Sequence, residues 1–247
     1  LMLPVIDTRG DVVAFGSRVL DKSEPKYMNS SETPVYSKRR VLYGLNLAKK
    51  SKRSNIILCE GNLDIVTLHQ AGFDNAVASM GTALTVEQTR LLSRFTKELV
   101  LCYDNDNAGK IATERALQIL NGSEFNVKVL QLPRRLVDGE YVKQDADDFI
   151  KFQGPDAFER LLNGSENGVE FRMAQIAGKY DLKDDEARIA YCEEISGLLA
   201  SLPSAGRHEA GGSAGVQAAH GAGKTGRVAE GSESRGRPTA KGTRPAL

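Results

Sequence analysis

Short apolar runs alternate with helical patterns through the middle of the chain. The strand-like runs cover residues 56–59, 75–79, 99–103 and 126–132. Those at 56–59 and 99–103 are rich in β-forming residues and lack polar alternation. Runs of this kind are typical of strands that are covered on both faces. The segments 62–71, 85–95 and 107–120 between them have helical character, with Thr85 as a helix cap and Gly72 and Gly122 as helix ends. The alternation predicts βαβ crossovers and a parallel core sheet.

The pattern changes on both sides of this region. Residues 3–7 and 12–19 are β-like runs joined by a polar turn around Gly10, which predicts a hairpin. Residues 21–40 are rich in Ser, Pro, Lys and Asn and are predicted to form a loop. Helical segments are predicted from residue 155 onward, at 166–179 and at 183–202. Residues 205–247 are rich in Gly and Ala, cannot bury a core, and are expected to be disordered.

The length and charge of the chain set broad limits. A chain of 247 residues forms one large or two small domains, and its net charge of +1 predicts no partner. The charge distribution is more informative, because no acidic residue lies between Glu32 and Glu60 while the interval holds several basic ones. That block suits a surface that binds phosphates, but an ordinary solvated face would look the same.

Several classes of site can be set aside. The cysteines, Cys59, Cys102 and Cys192, have no C-x-x-C spacing, which argues against a zinc site in this chain and against a disulfide framework. The segment 221–225 imitates a phosphate-binding loop but has Ala218 where the pattern needs a glycine, so it is rejected; His208 is a poor ligand candidate, as is His220. Without a signal peptide or a long apolar stretch, the chain is expected to be intracellular with no membrane partner.

Carboxylates follow two of the predicted strands. Glu60 comes directly after the run 56–59, and Asp104 and Asp106 come at the end of the run 99–103. Carboxyl ends of parallel strands meet at one edge of a sheet, where crowded carboxylates repel one another unless a cation neutralises them. Oxygen ligands of this kind suit Mg²⁺ or Mn²⁺. Each residue alone is explained as well by capping of the next helix, or for Asp64 by the helix dipole; the whole set, with Asp145 and Asp147, favours a metal site.

Two motifs in this stretch resemble the TOPRIM domain. They are Glu60-Gly61 and Asp104-Asn105-Asp106. The blocks at 15–20, 25–30, 42–44, 76–82 and 145–147 are similar, in order, to those of bacterial DnaG-type primases. There are two departures, since Ser17 stands where the family usually has a glycine and Asn62 where an aromatic residue is common.

The resemblance implies a fold and a domain organisation. The expected fold class is α/β, with a TOPRIM-type, mainly parallel sheet flanked by helices. Part of a mixed α+β subdomain would precede it and a small helical subdomain would follow. The expected limits are 1–54 for the C-terminal part of the primase amino-terminal subdomain, 55–153 for TOPRIM, 154–204 for the helical subdomain and 205–247 for the tail.

The resemblance also implies an activity, the template-directed synthesis of short RNA primers by metal-dependent nucleotidyl transfer. Catalytic roles are expected for Glu60, Asp64, Asp104 and Asp106. The expected ligands of Mg²⁺ or Mn²⁺ are Glu60, Asp104, Asp106, Asp145 and Asp147. Nucleotide or template binding is expected of Arg18, Lys26, Tyr27, Asn29 and Lys38, although Lys26 by itself could be an ordinary loop lysine.

The implied partners are a single-stranded DNA template, ribonucleoside triphosphates and, for the intact protein, the replicative helicase. The chain starts within a strand-like run, which suggests a fragment, and a zinc-binding domain is expected only upstream. The helicase-binding domain is expected to be absent from this chain. The implied location is the bacterial cytoplasm, at replication forks of the nucleoid. Two alternatives stay open: a TOPRIM nuclease or topoisomerase, and a truncated metal-dependent nucleic-acid-binding module without activity of its own.

Overall fold

The structure, a computed structural model, describes residues 1–81, 83–137 and 139–202. Its first element is an antiparallel sheet of β1 (Met2–Ile6), β2 (Val12–Arg18) and β3 (Tyr27–Asn29), in that order. The Asp7 side chain closes the β1–β2 turn by accepting hydrogen bonds from the backbone amides of Arg9, Gly10 and Asp11. The predicted hairpin is therefore confirmed.

The prediction of a loop throughout residues 21–40 is wrong at β3. Tyr27 and Met28 are half exposed, so this strand has no buried face that a sequence pattern would reveal. What makes it a strand is its pairing with β2, in which Arg18 lies opposite Tyr27 and Gly16 opposite Asn29. Long-range backbone pairing thus overrides the loop-like composition of the segment.

A five-stranded mixed sheet forms the centre of the structure. Its order is β10 (Glu166–Asn167), β7 (Asn126–Val129), β6 (Glu98–Leu101), β4 (Asn55–Cys59) and β5 (Ala76–Ala78). The strands β5, β4, β6 and β7 are parallel, and the short β10 pairs antiparallel with β7 at the edge. The predicted parallel core is therefore confirmed, and the fold is the expected α/β arrangement.

Helices cover both faces of this sheet. They include α1 (Leu45–Ala48), α2 (Asn62–Gln70), α3 (Val86–Leu92) and α4 (Asn107–Leu120). Alternate residues of β4 point to opposite faces, so Leu58 joins one apolar cluster with α4 while Ile57 joins another with α2. This burial on both faces is the reason that β4 and β6 appear in the sequence as unbroken apolar runs.

The chain after β7 contains elements that the sequence pattern does not predict. A small antiparallel hairpin of β8 (Arg135–Val137) and β9 (Glu140–Val142) leads to α5 (Ala146–Gln153). The predicted helical segments correspond to α6 (Pro155–Asn163), α7 (Gly168–Ala177) and α8 (Asp185–Ala200). Phe158 of α6 and Phe171 of α7 lie in the two apolar clusters of the central sheet.

No helix in the described parts of the chain has both the length and the apolar character needed to cross a membrane. Predictions made for Thr82 and for residues 205–247, including the rejected phosphate loop, His208 and His220, lie outside the described residues.

Candidate metal and nucleotide site

The ends of β4 and β6 bring the first two carboxylates to the same edge of the sheet. Leu58 pairs with Leu101, and the amide of Cys102 donates to the carbonyl of Leu58 at 2.9 Å. Because the two strands are parallel and in register, Glu60 and Asp104 leave the sheet side by side. The helix α4 then starts so close to Asp104 that a Cβ on Gly109 would lie 1.9 Å from the Asp104 carbonyl oxygen. A glycine at this position is therefore required by close backbone approach.

Glu60 is half buried, and its Oε1 atom has no hydrogen-bond partner among the described residues. Burial raises the pKa of this carboxyl group, and the neighbouring carboxylates of Asp104 and Asp106 raise it further. A buried carboxylate oxygen without a donor is unfavourable, and either a proton or a cation would satisfy it. The chemistry of Glu60 therefore fits both a metal ligand and a proton acceptor.

Asp64 lies in the first turn of α2 and is only 7% exposed. Its Oδ2 accepts a hydrogen bond from the amide of Gly61 at 3.1 Å, and its Oδ1 accepts one from the amide of Asp147 at 3.2 Å. Burial raises the pKa of Asp64 to about 7, with a smaller contribution from the carboxylate of Asp145. Asp64 thus connects the Glu60-Gly61 motif to the acidic segment around Asp147, and burial destabilises its negative charge.

The third acidic element surrounds the start of α5. Asp145 caps this helix by accepting from the amide of Asp148 at 2.7 Å, and burial raises its pKa. One oxygen each of Asp145, Asp147 and Asp148 lies within 4.8 Å of the others, the one such group of three or more among the described acidic, His and Cys side chains. Asp147 also accepts from Thr67 and, at 2.5 Å, from Lys151. Asp148 was missing from the expected ligands, although its place directly after Asp147 could have suggested it.

Asp104 and Asp106 share a cation that belongs to the protein. Lys143 Nζ lies 2.9 Å from Asp106 Oδ2 and 3.5 Å from Asp104 Oδ2. Asp106 also caps α4, because its Oδ1 accepts from the Gly109 amide at 2.8 Å. That backbone N–H, followed by Lys143, lowers the pKa of Asp106. No sequence signal identified Lys143, since it lies 37 residues from Asp106 and reaches it across the β8–β9 hairpin.

A cavity of about 300 Å³ opens between the N-terminal sheet and the central sheet. The predicted site residues that line it are Tyr27, Asn29, Glu60, Asp64, Asp104 and Asp145. Asn29 ties the two sheets together by donating from Nδ2 to the carbonyl of Met80 at 3.3 Å. The structure therefore places carboxylates and nucleotide-binding candidates around one cleft.

The two departures from the family pattern also meet in this cleft. Ser17 and Asn62 both line it. A Cβ on Gly16, the neighbour of Ser17, would come within 2.8 Å of Asn62 Nδ2. The two positions are thus neighbours in space, and they modify the cleft without displacing the carboxylates.

The remaining predicted residues lie around the cleft or away from it. Arg18 and Lys26 each place their charged group 5.7 Å from the centre of the Tyr27 ring. These two residues are not among the described residues that line the cavity, and neither are Asp106, Asp147 and Lys38. The backbone amide of Lys38 instead donates to Glu32 at 2.8 Å, and the structure shows no contact that joins Lys38 to the described acidic residues of the cleft.

Three family models match the chain. A Toprim-like model covers residues 57–150, and a model of the N-terminal domain of the DNA primase catalytic core covers residues 1–49. A model of the DnaB-helicase binding domain of primase covers residues 169–209. The expectation that the helicase-binding domain is absent is therefore wrong. Spaced apolar residues such as Ile189 were visible in this region, but helical spacing alone does not identify a binding partner.

Individual proteins give the same result. A DNA primase of Clostridium acetobutylicum is 41% identical over 203 residues, which are 82% of this chain and 33% of that protein. The chain thus spans about a third of the length of the curated relatives it matches. A solved DnaG primase catalytic domain bound to single-stranded DNA is 33% identical with a TM-score of 0.72, over 84% of this chain and 66% of that one. The RNA polymerase domain of Mycobacterium tuberculosis DnaG, in complex with double-stranded DNA, is 31% identical with a TM-score of 0.70, over 85% and 67%.

Proposed function

Because the chain belongs to the bacterial DnaG-type DNA primase family, we propose that it carries the acidic centre for primer synthesis. The reaction would be template-directed nucleotidyl transfer, in which a 3′-hydroxyl attacks the α-phosphate of a ribonucleoside triphosphate and pyrophosphate leaves. The observation that carries this proposal is the cleft in which Glu60, Asp64, Asp104 and Asp145 face Tyr27 and Asn29. A cluster of carboxylates that faces an aromatic and polar surface is suited to binding a nucleotide whose phosphates coordinate metal ions.

We propose that Glu60, Asp104, Asp106, Asp145 and Asp147 hold Mg²⁺ or Mn²⁺. The donor set fits, because every ligand is a hard carboxylate oxygen and one oxygen of Glu60 lacks a donor in the described structure. The cluster at the start of α5 contributes a second group of oxygens. When bound, such ions would lower the pKa of the attacking hydroxyl and neutralise the charge of the leaving group.

The protein's own groups would prepare the reaction around those ions. Glu60 would be either a ligand of these ions or the base, and its raised pKa in the metal-free chain would make it a stronger proton acceptor in the second role. Asp64 would act as a supporting group, since its two hydrogen bonds fix the backbone at Gly61 and Asp147.

The N-terminal sheet would hold the nucleotide and the template. Arg18 and Lys26 each lie 5.7 Å from the centre of the Tyr27 ring, so two positive charges would be available to phosphate oxygens beside this wall of the cleft. Asn29 would position this wall through its bond to Met80. Lys38 stays a proposed template contact, supported only by its place in the basic stretch between Glu32 and Glu60.

The remaining parts of the proposal concern the whole protein. Its substrates would be single-stranded DNA and ribonucleoside triphosphates, and residues 169–209 would contribute to binding the replicative helicase. We propose domain boundaries after residues 54, 153 and 204, and we propose that the protein acts in the cytoplasm at replication forks.

The test has two parts. Calorimetric titration with Mn²⁺ should show binding to the parent chain and weaker binding to Glu60→Gln, with Glu124→Gln as a control acid at the opposite end of the sheet. Incubation with labelled ribonucleotides and single-stranded DNA then separates the alternatives, because a primase extends a primer whereas a nuclease shortens the DNA. A folded parent that does not bind Mn²⁺, or that cleaves DNA, would overturn the proposal. If the chain binds Mn²⁺ and DNA but does not extend a primer, it is a nucleic-acid-binding module without polymerase activity of its own.

A further inference from the structure

Lys143 occupies a defined position at the edge of the acidic cleft. It follows β9 and directs its ammonium group between Asp104 and Asp106. The next residue, Gln144, is 2% exposed and donates from Nε2 to the carbonyl of Pro133 at 2.6 Å. The base of the β8–β9 hairpin is thereby closed, so the backbone of Lys143 is anchored while its side chain, 59% exposed, remains open to solvent.

The ammonium group and a divalent ion would need the same oxygens. Lys143 contacts Oδ2 of Asp104 and Oδ2 of Asp106, and the other oxygen of Asp106 already accepts from Gly109. Two positive charges cannot share this position at contact distance without strong repulsion. A lysine is a point charge on a flexible stem of four carbons and can withdraw, whereas an arginine would hold the carboxylates more firmly through the planar fork of its guanidinium.

We propose that Lys143 is a tethered counter-cation that competes with the divalent ion for Asp104 and Asp106. The proposal rests on the metal site of the proposed function. In the metal-free protein Lys143 relieves the repulsion between the two carboxylates, and on metal binding it withdraws into solvent. Lys143 is thus a positioning residue that sets the strength of metal binding, and its removal should strengthen that binding.

The experiment compares Mn²⁺ titration and thermal melting in EDTA for the parent, Lys143→Met, Lys143→Arg and Lys97→Met. Methionine keeps most of the side-chain volume and removes the charge. The matched control is Lys97, which directly precedes β6, is similarly exposed and forms an ion pair with Glu124. We expect Lys143→Met to bind Mn²⁺ about fivefold more tightly, as expected from the loss of one or two exposed ion pairs. Lys143→Met should also melt at a lower temperature than the parent in EDTA. The Lys143→Arg and Lys97→Met variants should bind Mn²⁺ no more tightly than the parent does.

The outcomes separate this inference from the proposed function. If the parent binds Mn²⁺ and Lys143→Met binds it no more tightly, the competition is overturned while the metal site stands. If neither protein binds Mn²⁺ although both are folded, the metal site itself fails, and the inference fails with it. If Lys97→Met gains as much affinity as Lys143→Met, the gain reflects overall charge, and the specific role of Lys143 is refuted.

Discussion

The backbone amide of Asp147 donates a hydrogen bond to Asp64 Oδ1 at 3.2 Å, across 83 residues of sequence. This bond joins α2, which follows the first acidic motif, to α5, which begins at the third. The second oxygen of Asp64 accepts from the amide of Gly61, so one carboxylate fixes the backbone at both the first and the third acidic motif. Asp64 therefore organises the site, and its burial makes its charge costly.

The pH dependence of stability should report this cost. The folded-state pKa of Asp64 is about 7, against 3.8 for the ordinary group. The folded chain therefore binds more protons between these values, so the contribution of Asp64 to stability is complete below about pH 4 and is lost as pH rises through 7. We expect Asp64→Asn to reduce the fall in unfolding free energy between pH 5 and 8 by up to about 2 kcal/mol. Urea unfolding of both proteins in EDTA measures this difference. If Asp64→Asn shows the same pH dependence of stability as the parent, the burial of this charge is contradicted.

Asp104→Asn should weaken the binding of Mn²⁺, because one of the proposed ligands loses its charge. In the metal-free chain the same change removes repulsion with Glu60, but it also removes one of two ion pairs with Lys143, so the net change in stability should be small, about 1 kcal/mol or less. Metal should raise the melting temperature of the parent more than that of the variant. Calorimetry and thermal melts with and without Mn²⁺ measure both effects, with Glu124→Gln as the control. Equal affinities would remove Asp104 from the site.

Lys26→Ala should weaken binding of nucleotide and single-stranded DNA and leave Mn²⁺ binding unchanged. Lys26 lies over the ring of Tyr27, which lines the cleft, and it makes no salt bridge with an acidic residue in the described ranges. The loss should be larger at low salt, because screening reduces the contribution of an exposed charge. Fluorescence anisotropy with labelled DNA tests this, with Lys183→Ala, from the turn before α8, as the control. Equal DNA affinity for the parent and both variants would make Lys26 an ordinary loop lysine.

Two glycine substitutions should have opposite effects on stability. A Cβ on Gly109 would lie 1.9 Å from the Asp104 carbonyl oxygen, whereas nothing lies within 4 Å of a Cβ on Gly197 in α8. Gly109→Ala should therefore lower stability by roughly 2 kcal/mol or more and weaken Mn²⁺ binding through displacement of Asp104. Gly197→Ala should raise stability by about 0.5–1 kcal/mol, as expected for an open helical position. Chemical denaturation compares the two, and a neutral Gly109→Ala would refute the close packing of α4 on Asp104.

Much of the central sheet could be predicted from local patterns. The apolar runs of β4 and β6 are continuous because each strand is buried on both faces, and Thr85 and Gln88 form the predicted helix cap of α3. The carboxylates at the strand ends followed from the same pattern, since parallel strands bring their carboxyl ends together. These features depend on neighbours in sequence and on one repeated packing rule.

Other features depend on partners that are distant in sequence. The strand β3 exists because it pairs with β2, and the cleft exists because the N-terminal sheet lies against the ends of β4 and β6. Lys143 reaches Asp106 across a hairpin that has only short strands and an exposed face, with Leu136 and Tyr141 in solvent. The pKa of Asp64 is raised by burial in the folded chain and, to a smaller extent, by Asp145, a residue 81 positions away in the sequence. Local patterns are set by backbone preference and periodic burial, whereas burial of a charge and the choice of its counter-ion arise only once distant segments have packed together.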